Sequence, residues 1–202
     1  MQTIDLGPAA AATARVVAGI RDEQLTAPTP CEGTPVAGLL GHLTGLAYAF
    51  RMAAGKTPVD GTASTDPAHL PADWRSYVPG QLDALAAAWR DPAAHEGMAS
   101  AGGVEMPAEV MAVVALDEVV VHGWDLAVAT GQPFDVDPAV ADACREFAES
   151  FGDDRPPTLY GPVVPVPADA PALDRLLGAT GRDPHWRPAT AAATASARPG
   201  SR

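Results

Sequence analysis

Proline placement limits what this chain can fold into more than any other feature. Pro8, Pro35, Pro107 and Pro138 each head a segment whose apolar residues recur at helical spacing, the first-turn position where a missing N–H costs nothing. Thr34-Pro35 and Asp137-Pro138 add a capping side chain before the ring. The pattern predicts five helices, over 8–25, 35–54, 71–90, 107–130 and 138–151. Gly55, Asp91-Pro92 and Gly131-Gln132-Pro133 supply the stops, and Pro79-Gly80 marks a kink in the third helix. Residues 27–33 and 56–70 read as loops, and 99–106 as a short connector. Beyond Gly152, Pro156, Pro157, Pro162, Pro165 and Pro167 predict an extended segment, followed by a short helix over 171–179. Period-two alternation is nearly absent. The expectation is an all-α fold: a four-helix bundle with an additional helix and a proline-rich C-terminal segment over 1–186, then a disordered tail over 187–202.

A chain of 202 residues can bury a core without disulfides or a structural metal. Two cysteines exclude a disulfide scaffold and a cysteine-cluster zinc finger. The formal charge of −12, with Lys56 as the single lysine, argues against a nucleic-acid surface and against anionic membranes. The N-terminus has no basic stretch ahead of an apolar run, and no segment is long and apolar enough to span a bilayer. A cytoplasmic, soluble protein, monomer or homodimer, is the expectation.

The informative residues are polar ones on apolar helix faces. His42 shares a face with Gly38, Leu39, Leu46 and Ala49. In the fourth helix, Glu118, His122 and Asp125 fall within the stripe that carries Met111, Val114, Val121 and Ala129. Burying such groups unpaired is expensive, so something must compensate them. A divalent metal would do so: Glu118 and His122 lie on adjacent turns, and His42 from a facing helix would complete two histidines and one carboxylate. Three protein ligands with an open position suit catalytic zinc, and the same set suits nickel or iron. Asp125 is placed to accept the N–H of a ligating imidazole. A plain buried hydrogen bond between Glu118 and His122 satisfies the same spacing.

Other side chains are less specific. Cys31, just ahead of the second helix, is either a thiol activated by the helix N-terminus, an additional ligand, or a buried loop residue. Cys144 reads as packing. Tyr48 and Trp124 are candidates to line a pocket beside the metal, and Arg51, Arg75, Arg90 and Arg182 to bind a carboxylate. His69, His95 and His185 read as solvated. No phosphate loop, dinucleotide fingerprint or serine elbow occurs.

The run Pro28-Thr29-Pro30-Cys31-Glu32-Gly33 with Leu39-Leu40-Gly41-His42-Leu43, the segment 116–127 around Glu118 and His122, and the stretch 165–177 together resemble the DinB-like metal-binding superfamily. Within it they are similar to an actinobacterial branch related to the N-terminal domain of mycothiol-dependent maleylpyruvate isomerase. Thr34 departs from that branch, which usually carries tryptophan there. The resemblance implies a four-helix bundle holding a metal through His42, Glu118 and His122. It also implies a low-molecular-weight thiol such as mycothiol as cosubstrate. The function expected is a metal- and thiol-dependent S-transferase or isomerase acting on an electrophilic substrate. The alternatives are a non-catalytic metal-binding or sensor protein, and a hydrolase using metal-bound water with Asp117 or Asp125 as base.

Overall fold

The computed structural model describes residues 4–188, apart from 58, 60, 62 and 156–158. Its helices are α1 (Gly7–Gly19), α2 (Val36–Ala54), α3 (Trp74–Ala88), α4 (Ala108–Thr130), α5 (Pro138–Glu149) and α6 (Ala172–Ala179). The fold is all-α apart from one short hairpin. From residue 189 onward, the expected tail lies outside the described residues.

Proline marks the helix starts much as its chemistry dictates. Pro138 opens α5 behind Asp137, whose Oδ1 accepts the Ala139 N–H at 2.8 Å. Pro35 and Pro107 sit one position earlier than expected, as the capping residues of α2 and α4. Thr34 therefore does not cap α2; its carbonyl accepts the Thr29 hydroxyl at 2.7 Å. The first helix stops at Gly19 rather than near residue 25, because Ile20 turns extended and drops into the core. The left-handed residue after α2 is Lys56 (φ 55°) and not Gly55, with its ammonium donating to the Ala94 carbonyl at 2.6 Å.

Four helices make the bundle. α1 packs on α3 and α4, and α2 packs on α3 and α4, so α1 and α2 lie diagonally across the core. Leu39, Leu40 and Leu43 of α2 meet Leu82 and Leu85 of α3 and Met111, Leu116 and Leu126 of α4 in that core, all fully buried. α4 is the central helix. The expectation of one buried stripe understates it, since α1, α2, α5 and the hairpin cover it on nearly every side. Gly123 lets α1 approach: a Cβ there would collide with Thr13 Oγ1, which donates to the Val119 carbonyl at 3.1 Å.

The connector over 99–106 is in fact a hairpin, β1 (Met98–Ala101) antiparallel to β2 (Val104–Pro107). Gly102 (φ 59°) and Gly103 (φ 78°) form its two-residue turn with the paired positive φ that such a turn requires. The hairpin rests on α2 and α4, at the groove between them. On the other side α5 and α6 pack together, and the proline-rich segment runs beside α6, with Val164 N–H donating to the Gly178 carbonyl at 3.0 Å. Among the described residues no helix is long and apolar enough to cross a membrane.

Candidate metal centre

α2 and α4 are neighbours, and they bring His42 face to face with Glu118 and His122. One ligand atom from each of the three lies within 4.8 Å of the others. The two imidazoles meet edge to face, with centroids 5.2 Å apart. His122 Nε2 stands 3.0 Å from Glu118 Oε2, and His122 Nδ1 stands 3.0 Å from Asp125 Oδ2. His42 Nδ1 lies 3.0 Å from the Ala63 carbonyl oxygen. A carbonyl only accepts, so His42 carries its proton on Nδ1 and keeps the Nε2 lone pair free. Each ring thus has an oxygen partner at Nδ1, the arrangement that orients metal-ligating histidines, while His122 Nε2 faces Glu118.

The electrostatics of the cluster favour a positive charge at its centre. Burial works against an imidazolium at His122, but the hydrogen bonds to Asp125 and Glu118 outweigh it and hold the group at about 10. Burial pushes Glu118 up, yet His122 and its neighbours leave it below the usual carboxylate value. His42 is lowered, by burial first and then by His122. Two carboxylates around one imidazole take up a proton when nothing better is offered. A divalent cation answers the same demand, and the nitrogen and oxygen donors suit zinc, nickel or iron.

Arg182, just beyond α6, completes the support. Its Nη2 donates to Asp125 Oδ2 at 3.2 Å and its Nη1 to the Thr180 carbonyl at 3.0 Å. Of the four arginines considered, it is the one that reaches the cavity. Arg51 instead stacks over Tyr48, and Arg75 lies over Trp74 and pairs with Asp22 at 2.8 Å.

Beside the cluster opens a cavity of about 570 Å³. Cys31 lies on its wall, half-buried. Tyr48 and Trp124, expected there, do not line it. Tyr48 is 44% exposed beside a separate surface depression, because the face of α2 it occupies points away from α4. Trp124 is two residues on from His122, which turns it to the far side of α4, near Pro184 and Arg187. Cys144 is buried, and burial, with Asp117 adding, pushes its thiol up. His95 is half-buried rather than solvated, with Nε2 at 2.8 Å from the Trp89 carbonyl.

A pair near the site gave little sign of itself. Tyr160 donates its hydroxyl to Asp117 Oδ2 at 2.8 Å, and both groups are buried on the cavity side. Tyr160 stands alone in the proline-rich segment, with no periodicity to flag it. Asp117 is the candidate base named above, and its burial follows from the cover that α4 has on nearly every side. Burial pushes the Asp117 carboxyl up to about 7 from an ordinary 3.8, with Glu118 adding and the Tyr160 hydrogen bond opposing. The folded protein therefore holds this proton more tightly than the unfolded chain does. The stability it contributes is complete below about pH 4 and lost as the pH rises through 7, a decline on the order of a few kcal/mol. In chelator-treated protein, urea midpoints followed from pH 4 to 8 are expected to show that decline, and Asp117→Asn to flatten it.

Comparison with known proteins agrees with this architecture. Residues 6–127 match the family described as the mycothiol maleylpyruvate isomerase N-terminal domain. Two uncharacterized proteins of Mycobacterium tuberculosis, from strains CDC 1551 and H37Rv, are each 30% identical over 185 residues, covering 85% of this chain and 92% of theirs. The crystal structure of the mycothiol-dependent maleylpyruvate isomerase superposes with a TM-score of 0.60 at 14% identity, over 91% of this chain and 79% of that one. A histidine-to-alanine mutant of that enzyme superposes with a TM-score of 0.58. The match spans the helices that carry His42, Glu118 and His122, and the chain belongs to the mycothiol maleylpyruvate isomerase N-terminal domain family.

Proposed function

We propose that this protein is a divalent-metal-dependent enzyme that uses a low-molecular-weight thiol, mycothiol first among candidates, as an isomerase or S-transferase of an electrophilic substrate. The observation that carries this reading is the convergence of His42, Glu118 and His122 beside a cavity large enough for a small molecule. The structural relative is named as mycothiol-dependent, which supports the choice of thiol. When bound, a divalent cation supplies the positive charge that lowers a thiol's pKa toward neutrality.

The chain's own residues do the positioning. Ala63 orients His42 and Asp125 orients His122 through their Nδ1 atoms, which leaves the Nε2 atoms for a shared cation. Arg182 holds Asp125 in place. Glu118 contributes a carboxylate oxygen from the adjacent turn. The Asp117–Tyr160 pair ties the C-terminal segment to α4 and so holds that wall of the cavity against the cluster. A carrier or sensor needs no such chamber beside its ligands, which is why the catalytic reading stands first.

The test is turnover of zinc-loaded protein with mycothiol and a panel of electrophiles, including maleylpyruvate. Thiol-dependent conversion that falls sharply in Glu118→Gln is the expected result, because the substitution removes the one anionic donor of the candidate ligand set. Metal bound at full stoichiometry without conversion of any panel member would favour the sensor reading instead.

A further inference from the structure

We propose that the cavity beside His42, Glu118 and His122 selects an uncharged, largely apolar electrophile and not a small dianion of the maleylpyruvate kind. The inference rests on the thiol-dependent reading above and adds the class of the second substrate. Its ground is the lining. His42, Glu118 and His122 converge within 4.8 Å of one another, and much of the remaining wall is built by residues such as Leu46, Phe50, Met111, Val114, Phe147 and Phe151.

A dianion needs positive partners when it leaves water. Among the described residues that line the cavity, Arg182 is the only arginine or lysine. Its charge is already engaged by the wholly buried Asp125 at 3.2 Å. The charge of a metal held by His42, Glu118 and His122 would be met by Glu118, Asp125 and the bound thiolate. Glu118 adds a carboxylate to the same space, and the Asp117 carboxyl beside it is taken up by the Tyr160 hydroxyl. The chain as a whole carries a formal charge of −12, so no long-range field draws anions in. An apolar body, by contrast, loses nothing on entering this chamber and gains from leaving water. The volume of about 570 Å³ is in the range of small-molecule sites, with room for an aryl or branched alkyl group.

The test uses N-phenyl-1-naphthylamine, an uncharged fluorescent probe, and maleate as a representative dianion. Probe fluorescence is titrated into the full chain, both chelator-treated and zinc-loaded. Micromolar binding of the probe in both forms, undisplaced by millimolar maleate, is expected. Phe151→Arg, which puts a cation on the wall, should weaken the probe at least tenfold, and Phe151→Leu should keep it; thermal melting shows that each variant is folded. Displacement of the probe by maleate at lower concentration, no probe binding by the wild type, or unchanged binding in folded Phe151→Arg would each overturn the proposal. Probe binding requires neither metal nor thiol. Retained probe binding without thiol-dependent turnover would therefore strike the enzymatic reading alone, while efficient turnover of maleylpyruvate would strike this one alone.

Discussion

Replacing Arg182 with alanine is expected to destabilise the fold by about 3–5 kcal/mol, the usual effect of leaving a buried charge unpaired. Asp125 is entirely inaccessible, and its Oδ2 accepts from both His122 and Arg182 while Oδ1 has no partner. Without the guanidinium, one imidazole must neutralise two carboxylates, Asp125 and Glu118. The Arg182 side chain is only 12% exposed, so water does little to screen the loss. A double substitution, Asp125→Asn with Arg182→Met, removes both charges together and is expected to cost much less than Arg182→Ala. Urea denaturation of the three proteins, compared by midpoint at constant slope, checks the ordering. Equal midpoints for wild type and Arg182→Ala would mean that the pair does not hold the C-terminal segment to α4.

The second large effect is on metal affinity. His42→Ala and His122→Ala are each expected to weaken zinc binding by well over a hundredfold, since each removes one of the three donors that converge among the described residues. Asp125→Asn keeps all three donors but changes the group that orients His122, and is expected to cost roughly 10–100-fold. Competition with a chelator of known affinity measures all three. The graded order distinguishes a metal centre from a hydrogen-bonded cluster of the same composition. In a mere hydrogen-bond cluster the three substitutions would alter stability and leave zinc affinity flat.

Much of this was legible in the chain itself. The prolines at 35, 107 and 138 gave helix starts to within a residue, because a ring without an N–H has few other places to go. His42, Glu118 and His122 stood out because they interrupt apolar faces in a chain with only 19% charged residues. What escaped depends on tertiary structure. The hairpin was hidden because its four-residue strands are too short to show alternation, although Gly102-Gly103 signalled the turn. Trp124 looked like a neighbour of His122 in sequence, but helical rotation sends it to the opposite face. Arg182 could not be chosen from among the arginines, since its partner Asp125 lies 57 positions away. The pairing of Asp117 with Tyr160 is hidden for the same reason, since the two lie 43 positions apart.

The most direct measurement is a zinc titration of the metal-stripped chain, followed by isothermal calorimetry and elemental analysis, beside a variant carrying His42→Ala, Glu118→Ala and His122→Ala together. The expected result is one tightly held ion per wild-type chain and none in the folded triple variant. Zinc bound equally by both, or by neither, would contradict a metal centre at His42, Glu118 and His122.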